Sequence, residues 1–187
     1  ARYLSDAGQF GSTPLLNFFA FNSGFTTGID GALKLQFTEN FSARGNVAWG
    51  KCKGSGLQSG NYLLETKEIT DINTPGGVFC DHSQSMTSSA VVFYRLPSNT
   101  TLSGQMLYGS GLRTAANEEA FTNSSHFDSW TIYNASLTHT FNLPWDKQKI
   151  LVGFDAINLT NYRYFYNQGE GSIGLGIPHA GLGRSFF

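Results

Sequence analysis

The feature that most constrains this chain is an alternation of apolar and polar residues with a period of two, which is the period of a β-strand whose two faces meet different surroundings. In "FSARGNVAW" one face is apolar or small: Phe41, Ala43, Gly45, Val47 and Trp49. The preceding segment, "IDGALKLQF", alternates in the same way, and no stretch has a convincing helical period. The pattern predicts an all-β fold.

Alternating segments that follow each other closely predict three β-hairpins. The expected strand pairs are residues 29–37 with 41–49, 88–95 with 101–109, and 130–141 with 150–158. Connections within hairpins have about three, five and eight residues, whereas those between hairpins, 51–87, 110–129 and 159–183, are long. Because short and long connections alternate strictly, all the long loops are expected at one end of an antiparallel sheet.

The first hairpin has a predictable register. Pairing the two residues that flank the turn 38–40 places Leu33 beside Gly45 on the apolar face and Lys34 opposite Arg44 on the polar face. The segment 41–49 spans about 26 Å at roughly 3.3 Å per residue. A tilt of about 40° reduces its height to about 20 Å, a little less than the apolar band of about 25 Å on outer-membrane barrels.

Composition limits the surroundings of such a sheet. Charged residues make up 13% of the chain, where about 25% is usual, and aromatic residues make up 14%. Soluble surfaces tend to be rich in charge. With a net charge of −1 and no run of Lys or Arg, the chain lacks the electrostatic signature of nucleic-acid binding. Its longest apolar runs are strand-sized, far below the roughly 18 residues of a membrane helix.

Two architectures explain the alternation. A soluble β-sandwich would pack its apolar faces together, but it leaves the loop asymmetry, the low charge and the small Gly31, Gly45 and Gly104 on the apolar face unexplained. A transmembrane β-barrel, with lipid outside, a polar lumen, short periplasmic turns and long external loops, explains all of them. The sequence therefore predicts an antiparallel transmembrane β-barrel, of which about seven to eight strands are present.

The two cysteines, Cys52 and Cys80, lie at the ends of one polar, Gly-rich stretch. A metal site would need four ligands at closer spacing, and the nearby His82 does not complete one. A disulfide formed in an oxidising compartment is the favoured interpretation; two free thiols are the alternative.

No motif indicates catalysis, and we expect neither an enzyme nor a metal or cofactor site. "GEGSIG" (169–174) matches a dinucleotide-binding string, but the following residues 175–178 contain Pro178 and cannot begin a long helix. Asp81-His82 and His126 with Asp128 lie in predicted external loops, where no motif identifies a nucleophile among the neighbouring residues. Within the second long loop, four residues are candidates for contact with a ligand, ordinary exposed side chains being the alternative: Arg113, Glu118, Glu119 and His126.

Four segments resemble TonB-dependent outer-membrane receptors. "GFTTGIDGALKLQFTENFSARGNVAWGK" is similar to a strand, short turn and strand of those barrels. "LSGQMLYGSGLRT", "VGFDAINLTNYRY" and "GSIGLGIPHAGLGRSFF" resemble their last strands, in the same order. The element 158–162 loosely matches the family's pattern of Asn-Leu, a small or acidic residue, and Asn/Asp-x-x-Tyr, with Tyr162 and Tyr164 both eligible as its tyrosine.

The resemblance implies that residues 1–187 are the C-terminal portion of such a barrel without its plug, with the last strand cut short at Phe187. It further implies a location in the outer membrane of a Gram-negative-type bacterium, and energy-coupled uptake of a scarce nutrient such as an iron chelate or cobalamin. The implied partners are outer-membrane lipid, the remainder of the barrel and plug, and a periplasmic energy-coupling protein.

A small complete barrel of eight strands with a structural or adhesive role is the alternative. Lys34 opposite Arg44 argues against it, because two facing cations in a narrow lumen need acidic partners, and few acids are available there.

Overall fold

The computed structural model describes residues 21–57, 66–80, 83–114, 124–144, 148–167 and 179–187. These segments form strands and a single short helix, α1 (Thr66–Ile72). The longer strands are β1 (Phe21–Gln36), β2 (Phe41–Leu57), β4 (Met86–Arg95), β5 (Thr100–Gly109), β8 (Trp130–Asn142) and β9 (Lys149–Ile157). The shorter ones are β3 (Val78–Phe79), β6 (Arg113–Thr114), β7 (Ser125–His126), β10 (Phe165–Asn167), β11 (His179–Ala180) and β12 (Ser185–Phe186).

One antiparallel sheet dominates the fold. Its strands lie in the order β1-β2-β4-β5-β8-β9-β12, and β3 pairs with the far end of β2. Two small ribbons, β6-β7 and β10-β11, accompany it. The prediction of an all-β antiparallel fold is confirmed. Over the described residues the sheet is open, since β1 pairs only with β2, and β12 pairs only with the end of β9.

The register of the first hairpin is as predicted, and all three predicted strand pairs form. Leu33 pairs with Gly45 and Lys34 pairs with Arg44 across β1 and β2. The backbone amide of Phe41 donates to the Thr38 side-chain oxygen at 3.0 Å, which closes the tight turn. In the other two hairpins Val92 pairs with Gly104 and Leu137 with Phe154.

The first hairpin is longer than predicted. Residues 51–57, which the sequence predicts to be part of a long loop, continue β2, and residues 21–27 of β1 pair with them. The pairs Gly28–Gly50 and Gly24–Gly54 lack side chains on both strands, so the apolar–polar alternation that marks residues 29–49 fades there although the backbone pairing continues.

The two faces of the sheet differ in chemistry. Apolar side chains that are each more than a third exposed occupy one face across β1, β2, β4, β5, β8 and β9: Ile29, Leu33, Val47, Trp49, Val92, Tyr94, Leu102, Tyr133, Leu137, Phe141, Val152 and Phe154. We call this the apolar face. On the opposite, polar face the Asn134 amide donates to the Gln105 side-chain oxygen at 2.9 Å, and the Asn46 side-chain oxygen accepts from the Ser89 hydroxyl at 3.0 Å.

Dense apolar packing occurs at the long-loop end. Leu57, Ile72 and Val78 are buried together, and Ile69 of α1 packs against them. This cluster attaches α1 and β3 to the end of β2. In the part of the chain that the structure describes, no helix is long and apolar enough to cross a membrane.

Candidate functional site at the long-loop end of the sheet

The antiparallel strand order gathers the three long connections at one end of the sheet. They follow β2, β5 and β9. We call them the first, second and third long loops, and we refer to the other end as the short-turn end. Three local structures tie these loops to the strands from which they leave.

A disulfide and a short strand fasten the first long loop. Cys52 and Cys80 are joined, with their Cα atoms 5.3 Å apart, so the predicted disulfide is confirmed. The Cys80 amide also donates to the Cys52 carbonyl at 3.0 Å. β3 continues this pairing, with Phe79 beside Lys53. A covalent link that closes a loop of this length stabilises the fold by about 3 to 4 kcal/mol in the chain-entropy model.

Gly77 permits the close approach of the first long loop to β2. Its φ angle is +65°, and a Cβ atom there would lie 2.5 Å from the Gly54 carbonyl oxygen. Both the left-handed backbone and the short distance require glycine.

The Phe79 ring connects the first and second long loops. The Lys53 ammonium lies 4.5 Å from the ring centroid, and the Arg113 guanidinium carbon lies 4.0 Å from it. Hydrogen bonds hold both cations in place, because the Lys53 ammonium donates to the Gly76 carbonyl at 3.1 Å and the Arg113 guanidinium donates to the Ser85 hydroxyl at 3.0 Å. Cation–π contacts of this kind contribute about 0.5 to 2 kcal/mol each.

The predicted ligand-contacting residues are only partly described. Arg113 and His126 are direct partners in the β6-β7 ribbon. His126 is exposed, with its Nδ1 atom 2.9 Å from the Phe127 carbonyl oxygen. Arg113 is engaged with the Phe79 ring and Ser85 and thus has a structural contact that the sequence did not reveal. The remaining candidates lie outside the described residues: Glu118, Glu119, Asp81, His82 and the segment 169–174.

Asn158 holds the third long loop to the sheet. Its side chain is fully buried, and the side-chain amide nitrogen donates to the Tyr162 and Leu182 carbonyl oxygens at 2.9 and 3.0 Å. The side-chain oxygen accepts from the Tyr162 amide at 3.0 Å. The backbone amide of Asn158 donates to the Asn134 side-chain oxygen at 2.8 Å. This one side chain therefore joins both ends of the third long loop, and the backbone amide connects it to the polar face of the sheet.

The aromatic partner in this tie is Tyr164. Tyr164 is 5% exposed and its ring centroid lies 5.2 Å from that of Trp130, whereas Tyr162 is 44% exposed. Tyr164 is thus the packed tyrosine of the Asn-Leu-x-Asn-x-x-Tyr element. Asn161 completes the junction, because its side-chain oxygen accepts from the Arg184 amide at 3.1 Å.

Sequence reasoning gave no role to Asn158 and did not identify Phe79. The two asparagines of the element were the available signal, since Asn adopts positive φ angles more readily than most residues, and φ is 52° at Asn158 and 50° at Asn161. For Phe79 no comparable signal exists, because its cationic partners are distant in sequence.

The described residues contain no group of three or more His, Cys, Asp or Glu side chains that could hold a metal ion. No protein-family model matches the chain, and no curated protein matches it.

Proposed function

We propose that this sheet is part of the wall of a transmembrane β-barrel in the outer membrane of a Gram-negative-type bacterium. The apolar face is the main support. Twelve large apolar side chains on it average roughly half exposure, which at about 200 Å² per side chain gives on the order of 1,000 Å² of apolar surface. Soluble monomers rarely expose contiguous patches above about 300 to 600 Å². A hydrocarbon solvent accounts for such a surface.

The ends of the apolar face support the same proposal. At the short-turn end, the Phe37 and Phe41 rings stack with centroids 5.0 Å apart, and the Tyr94 ring lies 6.5 Å from that of Phe41. Trp49, 48% exposed, lies toward the long-loop end. Aromatic residues at both margins of an apolar band are typical of outer-membrane barrels.

The polar face suits a barrel interior. Its amide and hydroxyl groups bond across neighbouring strands, as in the Asn134–Gln105 pair. Lys34 and Arg44 face each other there, and the Arg44 guanidinium lies 5.5 Å from the centre of the Phe93 ring. Two adjacent cations favour a wide lumen that contains water or an acidic plug surface, because a narrow, side-chain-filled lumen would leave them poorly solvated.

We further propose that the barrel belongs to a TonB-dependent receptor for a scarce nutrient such as an iron chelate or cobalamin. The support is the order of the four segments that resemble parts of such receptors, three of which resemble the last strands, together with the facing cations. The plug, the remaining strands and a periplasmic energy-coupling protein are the partners that this function requires. No catalytic residue is needed for it.

A small complete eight-stranded barrel with a structural or adhesive role is the second candidate. One observation favours it: over the described residues the main sheet has eight strands, seven along its path and β3 beside β2. The intact mass of the protein purified from the outer membrane distinguishes the two. A mass near 20.4 kDa supports the small barrel, and a mass several times larger supports the receptor.

Uptake measurements test the receptor function itself. Cells with and without the gene are supplied with radiolabelled ferric chelates or cobalamin at limiting concentration. The expected result is gene-dependent uptake that an uncoupler of the proton-motive force abolishes. Equal uptake by both strains for every class of scarce nutrient would reject the transport proposal while leaving the barrel intact.

A further inference from the structure

Three cations lie next to one another just beyond the apolar face at the long-loop end, and we call them the outer cation row: Lys51, Lys53 and Arg113. The uninterrupted pairing of β1 with β2 from residue 49 to residue 55 preserves the alternation of side chains. Lys51 and Lys53 therefore point to the same side as Trp49. Arg113 joins them through the Phe79 ring, which pairs with Lys53 and lies beneath both charges.

Among the described residues, no acidic side chain takes part in the contacts that hold the positive charges of the row. Lys53 donates to a backbone carbonyl, and Arg113 donates to the Ser85 hydroxyl and the Ser124 carbonyl. Lys51 is exposed. Phe25, which pairs with Lys53, is 50% exposed. The row thus combines three positive charges with an exposed aromatic ring, a composition suited to the boundary between hydrocarbon and water.

The two lysines of the row lie close to the expected height of the lipid headgroup layer. Lys51 and Lys53 follow Trp49 by two and four residues, which on a strand tilted by about 40° places them about 5 and about 10 Å above it. The headgroup region of each leaflet is about 5 to 8 Å deep. If Trp49 marks the edge of the hydrocarbon, Lys51 lies within the headgroup layer, and Lys53 lies about 2 to 5 Å above it, a distance that a lysine side chain can bridge.

We propose that the outer cation row binds the phosphate groups of anionic lipids in the outer leaflet. Lysine offers a compact point charge, and the Arg113 guanidinium offers planar donors that match phosphate oxygens. The inference depends on the proposed membrane location, because only a barrel in a bilayer brings lipid phosphate to this height.

Brominated lipids test the inference with Trp49 as the reporter. The full-length protein is reconstituted in phosphatidylcholine bilayers that contain either brominated phosphatidylcholine or brominated phosphatidylglycerol, and the Trp49 signal is taken as the difference from a Trp49→Phe variant. Quenching is expected to be stronger with the brominated phosphatidylglycerol. The binding constant for phosphatidylglycerol relative to phosphatidylcholine should rise about fivefold for each cation that contributes. The Lys51→Gln/Lys53→Gln double variant is expected to lose most of this preference.

The matched control is Lys34→Gln, which removes a cation from the opposite face of the same hairpin and should leave the preference unchanged. Trp49 that no brominated lipid quenches would reject the membrane location, and the inference with it. Equal quenching by both lipids, or equal preference in the double variant and the wild type, would overturn the inference alone. A preference abolished by millimolar inorganic phosphate but not by sulfate of equal ionic strength would assign the row to free phosphate and overturn the lipid proposal.

Discussion

Replacing Asn158 by alanine is expected to release the third long loop from the sheet. The substitution removes the three side-chain hydrogen bonds with Tyr162 and Leu182. Each is worth about 1 kcal/mol net, and more where a buried partner stays unsatisfied. The φ angle of 52° at this position adds about 1 kcal/mol, because alanine tolerates the left-handed region poorly. Together the opening free energy of the loop should fall by about 4 kcal/mol.

Hydrogen exchange measures this loss where it occurs. A change of about 4 kcal/mol corresponds to an increase of nearly a thousandfold in the opening equilibrium constant, visible at the amides of residues 159–164 and 181–187. Two further variants separate the causes. Asn158→Gly removes the hydrogen bonds without the left-handed penalty, and should cost about 1 kcal/mol less. In Asn158→Asp the carboxylate can still accept from the Tyr162 amide. It has no hydrogen to donate to the Tyr162 and Leu182 carbonyl oxygens, which it faces. Exchange within a factor of three of the wild type in the alanine variant would refute this account of the loop.

The other ties allow further tests. Replacing both cysteines by serine should lower the stability of the first long loop by about 3 to 4 kcal/mol, measured as the increase in its proteolytic cleavage; unchanged cleavage would show that β3 pairing is sufficient. Phe79→Leu removes the ring that both cations contact and should cost about 1 to 4 kcal/mol in loop protection, whereas Phe79→Tyr should cost little. Gly77→Ala places a Cβ atom against the Gly54 carbonyl oxygen, whereas Gly76→Ala meets no atom within 4 Å. Both carry the left-handed backbone penalty of about 1 to 2 kcal/mol, so an equal loss in thermal unfolding would contradict the steric argument.

The register of the first hairpin could be predicted because a small number of residues determine it. A slip of one residue would move either Leu33 or the pair Val47 and Trp49 to the polar face, so the alternation and the tight turn at 38–40 allow a single pairing. The structure has that pairing, with Leu33 beside Gly45. For the other two hairpins the sequence predicts which strands pair, and the structure has those pairs.

The ties at the long-loop end could not be predicted in the same way. Asn158 bonds to Asn134 and Leu182, each 24 residues away, and Arg113 reaches Phe79 in a different loop. Nothing in a period of two encodes such contacts, since they depend on where the loops return. The sequence also does not predict the extension of β2 beyond Trp49. Glycine pairs there preserve the backbone pairing but remove the alternation of side chains.

The edges of the sheet set a condition on the proposed membrane location. Within the described strands, β1 pairs on one side only, and β12 leaves residues 149–154 of β9 without a partner on their outer side. In hydrocarbon each unpaired backbone group costs several kcal/mol. A transmembrane span of about 9 to 11 residues on such an edge would leave about ten groups unpaired, a penalty of tens of kcal/mol that the lipid contacts of one strand do not offset. A membrane location therefore requires that both edges be paired. Either β1 closes onto β9 and β12, which gives the small barrel, or further strands lie between them, which gives the receptor. The facing cations Lys34 and Arg44 favour the second closure, because every added strand widens the lumen they share.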